Sequence, residues 1–141
     1  MARGKKTTKG SSGFNRKISD DFLLKNQGKP GVLVTDSGLQ ILEIEAGSEE
    51  HPQAHNWVEV HQRISLIDGT LIDDTYKTDE TARFSLEEAI PGYREGLLLM
   101  SVGGRSRFFV PPDLAWGKHG SGKRIGPNTV LIIDTRLIKI L

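Results

Sequence analysis

This 141-residue chain predicts one α+β domain, five or so antiparallel strands around a single short helix. Three stretches carry that expectation. In "WVEVHQRISLIDG" (57–69), Val58, Val60, Ile64 and Leu66 face one way while Glu59, His61, Arg63 and Ser65 face the other, which is the period of a half-buried strand. In "TARFSLEEAIPGYREGLLLMSVGG" (81–104), Tyr93, Leu97 and Met100 fall at i, i+4 and i+7, and Gly103-Gly104 closes the segment, the pattern of a short amphipathic helix. The last stretch, "NTVLIIDTRLIKIL" (128–141), is the most β-branched and reads as a central strand.

The remaining elements follow in order. Residues 1–17 carry six basic side chains (Arg3, Lys5, Lys6, Lys9, Arg16, Lys17) and no acid, so the rest has 13 basic against 18 acidic residues. Residues 1–18 read as a basic disordered tail, because the charges form no folded basic face. Nucleic-acid binding by this tail is therefore not expected. Ser19 followed by Asp20 and Asp21 reads as a helix start, with acids at the positive end of the helix dipole. Gly28 and Pro30 stop that helix, making residues 19–30 a short helix and linker and 31–141 the main domain. In "SGLQILEIEAG", Leu39 and Ile41 share one face of a strand, with Leu42 and Ile44 on the other; "EEHPQAHN" is a polar loop, and Asp68-Gly69 supplies a turn. "RSRFFVPPD" is a strand ended by two prolines. Gln62 stands alone as a polar residue on an apolar face. A buried amide needs partners, so that face lines either a cavity or a hydrogen-bonded core site.

Composition sets limits on function. Apolar content of 36% and charge of 26% describe a soluble globular chain with no apolar run near bilayer length. The basic N-terminus lacks an apolar secretory core. There is no cysteine, hence no disulfide framework and no thiolate ligand or nucleophile, and a cytoplasmic location is expected. His51 and His55 beside Glu49 and Glu50 look like metal ligands, but Pro52 removes the helical spacing and a solvated loop is the better reading. His61 and His119 have no acid or nucleophile at motif spacing, so neither is assigned as a base.

"GKHGSGKR" (117–124) fits seven positions of the phosphate-loop pattern G-x-x-x-x-G-K-[ST] and breaks at Arg124. No β-branched strand precedes it, Gly126-Pro127 forbids a helix after it, and arginine cannot hold magnesium. It is a basic glycine-rich loop between strands.

The wider stretch "AIPGYREGLLLMSVGGRSRFFVPPDLAWGKHGSGKRIGPNTVLIIDTRLIKI" resembles the core of the FKBP-type peptidyl-prolyl cis-trans isomerases. "VHQRISLIDGTLIDDT" resembles that family's second main strand and its following turn, and "FLLKNQGKPGVLVTDSGLQILEIEAGS" is similar to the approach to the domain in the bacterial macrophage-infectivity-potentiator branch. The resemblance covers about residues 21–141. It implies a five- to six-stranded antiparallel half-barrel sheet wrapped around one short helix, with a small apolar pocket between them.

The resemblance also implies a site. Tyr93 falls at the pocket floor, where most relatives have tryptophan, and Trp116 falls where they have a tyrosine that bonds the substrate carbonyl; an indole N–H can donate instead. Asp73 matches a pocket-wall aspartate; these three are the expected catalytic residues. Ala89 and Ile90 match the segment whose backbone meets a ligand carbonyl, Ile125 an overhanging-loop residue, and Phe84 a phenylalanine beside the pocket. Gln62 replaces a pocket tyrosine, and Ile72 and Ile133 replace phenylalanines, while Ala82 occupies another aromatic position. Fewer rings imply weaker desolvation and a modest isomerase. Expected partners are proline-containing polypeptides, with weak macrolide binding and no membrane, metal or cofactor. A monomer is expected, because the dimerisation helix usual in that branch is reduced here to its last turns. A binding or chaperone module of the same fold, weakly active or inactive, is the competing reading.

Overall fold

A computed structural model describes residues 11–141. The elements are α1 (Ser12–Asn26), β1 (Val32–Val34), β2 (Gln40–Glu45), β3 (Trp57–Ser65), β4 (Leu71–Asp74), α2 (Thr75–Thr78), β5 (Ala82–Ser85), α3 (Pro91–Leu99), β6 (Arg105–Val110) and β7 (Leu131–Ile140). All strand pairs are antiparallel and form one sheet, in the order β1-β2-β6-β7-β3-β4, with β5 also paired to β3. The α+β class and the half-wrapped helix are as expected. The strand count is seven rather than five or six, because the three- and four-residue strands β1, β4 and β5 are too short to show a period in sequence.

The sheet separates two faces. Val58, Val60 and Gln62 of β3, Phe108 and Val110 of β6, and Leu131, Ile133, Thr135 and Leu137 of β7 point inward and are buried. α3 packs there through Tyr93, Leu97 and the following Met100, all buried. Burying each large apolar side chain is worth about 1.5–3 kcal/mol, and β7 sits centrally because both of its neighbours share this load. Pro91 opens α3, where its missing N–H costs nothing. Gly96 brings α3 close to the sheet: a Cβ there would lie 2.5 Å from Phe108 Cζ.

The outer face is partly covered by α1. This helix begins at Ser12, seven residues before the expected start, with Ser11 Oγ accepting from Phe14 N. Ser19, read in sequence as the cap, is instead buried mid-helix and donates to the carbonyl of Asn128 at 2.7 Å. Tertiary contacts outweigh the local acidic signal here, for Asn15 Nδ2 donates to Pro127 O and Asn128 Nδ2 to Ser12. Arg16 and Lys17, assigned in sequence to the tail, belong to α1 and pair with Asp20, Asp113 and Asp21; the other tail cations, Arg3, Lys5, Lys6 and Lys9, lie outside the described residues. Among the described residues no helix is long and apolar enough to cross a membrane.

Candidate active site

The inner face opens, between α3, β3, β7 and the loop after β6, into a cavity of about 390 Å³. Tyr93 forms its floor. The first turn of α3 fixes this residue, and its ring packs against Phe84 of β5 (5.5 Å, tilted) and Phe108 of β6 (6.1 Å, edge-on). Ile72 of β4 and Ile133 of β7 line the walls, as do Ala89 and Ile90 just before α3. Trp116 and Ile125 line it from the glycine-rich loop; Trp116 is 44% exposed and Ile125 buried, which places the indole at the rim. The indole N–H and the backbone N–H of Ile90 have no hydrogen-bond partner among the described residues.

Gln62 resolves the anomaly of a polar residue on an apolar face by doing both jobs open to it. It lines the cavity, and its amide is held at both ends: Nε2 donates to Asp73 Oδ2 at 2.7 Å, and Oε1 accepts from Tyr93 Oη at 2.9 Å. Tyr93 Oη also lies 2.9 Å from Thr135 Oγ1, which donates to the carbonyl of His61. Burial pushes the Tyr93 phenol far above its ordinary value, with the Thr135 hydrogen bond opposing only part of that rise. The floor is thus a neutral polar chain satisfied from within, and it presents a ring rather than a free hydroxyl to the cavity.

Nine of the ten sequence-derived site residues line this one cavity. Asp73 does not. Its exposed carboxylate accepts from Gln62 and from Asp74 N, so it positions the Gln62 amide from outside. Ala82, the remaining departure from the aromatic set, lies on β5, partly buried against the core.

Sequence reasoning missed several residues. Ile64, Glu88, Ser121 and Leu131 line the cavity. Thr135 had a readable signal: it interrupts the inward row of β7 just as Gln62 interrupts that of β3, and the two are cross-strand partners. Arg124, which breaks the phosphate-loop pattern, has a different use. Its Nη1 and Nη2 donate to the carbonyls of Leu71 and Ile72, tying the overhanging loop to β4. Ser121 and Ile125 exchange backbone hydrogen bonds, which closes that loop as a tight hairpin. No helix follows it, as expected for a segment that is not a phosphate loop.

Comparison with known proteins agrees with this geometry. The model of the family described as FKBP-type peptidyl-prolyl cis-trans isomerase matches residues 48–138. The outer membrane protein MIP of Legionella longbeachae is 41% identical over 94% of this chain and 59% of its own length. The FKBP-type isomerase FkpA of Aeromonas hydrophila is 41% identical over 89% of this chain and 47% of its own. The chain therefore spans about half to three fifths of the length of these curated relatives. Among solved structures, FkpA of Escherichia coli superposes with a TM-score of 0.87 at 33% identity, covering 92% of this chain and 60% of that one. A peptidyl-prolyl cis-trans isomerase of Pseudomonas syringae gives 0.86 at 28% identity, covering 97% and 98%. With fold, cavity and family model in agreement, the chain belongs to the FKBP-type peptidyl-prolyl cis-trans isomerase family.

Proposed function

We propose that this chain accelerates rotation about X-Pro bonds in polypeptides. The observation that carries the reading is a largely apolar cavity in which the side-chain polar groups of Gln62 and Tyr93 are already bonded to each other, with Thr135 behind them bonded to Tyr93. The barrier to rotation is amide resonance, about 18–20 kcal/mol, and uncatalysed exchange takes tens to hundreds of seconds. A prolyl ring seated over Tyr93, between Phe84, Ile72 and Ile133, gives up water around its amide. The twisted amide has lost resonance and charge separation, so it suffers least from a dry site. The N–H groups of Ile90 and Trp116 suit the carbonyls flanking a bent chain, and binding them best in the twisted geometry lowers the barrier. Neither nucleophile nor proton transfer is needed. Tyr93 and Trp116 contact the substrate, while Asp73 acts through Gln62.

Proline-limited refolding of a model protein tests the reading. The chain is expected to shorten the slow phase, and Trp116→Ala to lose most of that effect without a change in its own melting, since the indole is at the rim. A slow phase untouched by the natural chain would overturn it. A binding or chaperone role is supported by Gln62, Ile72 and Ile133, which stand where rings would dry the site better. If Gln62→Tyr with Ile72→Phe raised turnover strongly at unchanged peptide affinity, the natural chain would be better described as a binder.

Weak macrolide binding belongs to the same proposal, through the reduced number of rings. A monomeric state is supported by α1, which folds back on its own domain, with Ser19 on the loop before β7 and Phe22 and Asn26 on β6 and β2; sedimentation would check it. The cysteine-free sequence supports a cytoplasmic location, whereas the Legionella relative is named an outer membrane protein. Fractionation of the native host decides between these compartments.

A further inference from the structure

We propose that the outer face of the sheet holds a second binding groove, for an extended acidic polypeptide segment whose carboxylates alternate with apolar side chains. A cavity of about 750 Å³ crosses that face, walled by α1 and the linker on one side and by α2 on the other. It lies across the sheet from the prolyl cavity and shares no lining residue with it.

The charge in this groove is unbalanced. Lys29, Arg63, Arg105 and Arg107 line it with a single carboxylate, Asp134. Asp134 is largely buried and already taken: Arg105 donates to it through Nε and Nη2, and Arg107 through Nη2. Arg63 has only a 3.6 Å ionic contact, with Asp74, and its side chain is 51% exposed. Several guanidinium N–H groups are therefore left to face solvent in a concave site, where arginine is suited to grip a carboxylate with two parallel bonds.

The spacing fits an extended chain. Arg107, Asp134 and Arg63 form one cross-strand row over β6, β7 and β3. The two arginines thus stand two strands apart, about 10 Å, while alternate carboxylates on an extended peptide are about 7 Å apart. Arginine side chains span that difference. Between the cations the floor is apolar, with Val32, Leu42, Phe109 and Ile132. From β1 to β3 the groove crosses about 19 Å of sheet, room for about six extended residues. A polypeptide is favoured over nucleic acid because the cations are interspersed with an apolar floor of Val32, Leu42, Phe109 and Ile132, which matches carboxylates alternating with apolar side chains and not an unbroken row of phosphates.

Fluorescence anisotropy on the full chain tests this with a labelled, proline-free hexapeptide alternating glutamate and leucine. A lysine-for-glutamate version and a short oligothymidylate serve as competitors. The acidic peptide is expected to bind, more weakly as salt rises, and to lose about tenfold in affinity with Arg63→Gln plus Lys29→Gln. Val32→Glu, which puts a like charge in the groove, is a second variant in case the first melts early. Equal binding of the lysine peptide, or affinity unchanged in both variants, would overturn the proposal. Tighter binding of the oligothymidylate would assign the groove to nucleic acid instead.

Discussion

Tyr93 shows how one residue can carry both stability and function. Its ring floors the cavity, and its hydroxyl closes the chain from Asp73 through Gln62 to Thr135. Tyr93→Phe keeps the ring and orphans the buried Gln62 Oε1, so urea denaturation should show a loss of about 1–3 kcal/mol. Isomerisation should fall by less than about tenfold, as the cavity keeps its shape. Unchanged stability would mean that the polar floor contributes nothing. On the opposite face, burial disfavours the charged form of Asp134, but hydrogen bonds from Arg105 and Arg107 outweigh it and hold the carboxyl below the usual range. A carboxyl lowered on folding stabilises fully above its unfolded value near 3.8, and this contribution is lost as pH falls through the folded value. Melting of the natural chain should therefore drop steeply below about pH 4. Asp134→Asn should cost about 1–2 kcal/mol at neutral pH, the arginines being partly exposed, and should flatten that acid limb. An unaltered limb would place the acid sensitivity elsewhere.

At the scale of elements, the loop between β6 and β7 is held to β4 by one arginine. Arg124→Ala should lower kcat/KM several-fold through a looser rim around Trp116 and Ile125, with stability changed by less than about 0.5 kcal/mol because the site is exposed. Equal kcat/KM would show that the tie does not position the rim. Sequence could not announce this role, for the carbonyls that Arg124 reaches lie about fifty residues away and carry no side-chain signature. The same limit hid the start of α1. Asp20 and Asp21 made Ser19 look like a cap, while the contacts that extend the helix back to Ser12 come from the loop at Pro127 and Asn128. By contrast β3, α3 and β7 were legible, since each long element repeats its burial pattern often enough to fix its period. Gln62 was legible too, because it broke the apolar pattern of β3; Thr135 breaks that of β7 in the same way.

For the molecule as a whole, the two faces of one sheet carry different linings, one largely apolar and one rich in cations. The inner face, dry and ringed, suits an amide that must shed its charge separation; the outer, rich in arginine, suits chains that keep theirs. The inner reading depends on rate, not affinity. Magnetisation-exchange NMR on a leucyl-prolyl tetrapeptide measures that rate directly. With catalytic amounts of the natural chain, cis–trans exchange should rise well above the spontaneous rate of one event per tens to hundreds of seconds, and Trp116→Ala should bring it most of the way back. Exchange that stays at the spontaneous rate, while the peptide's resonances still shift on binding, would contradict the account and leave a binding cleft without catalysis.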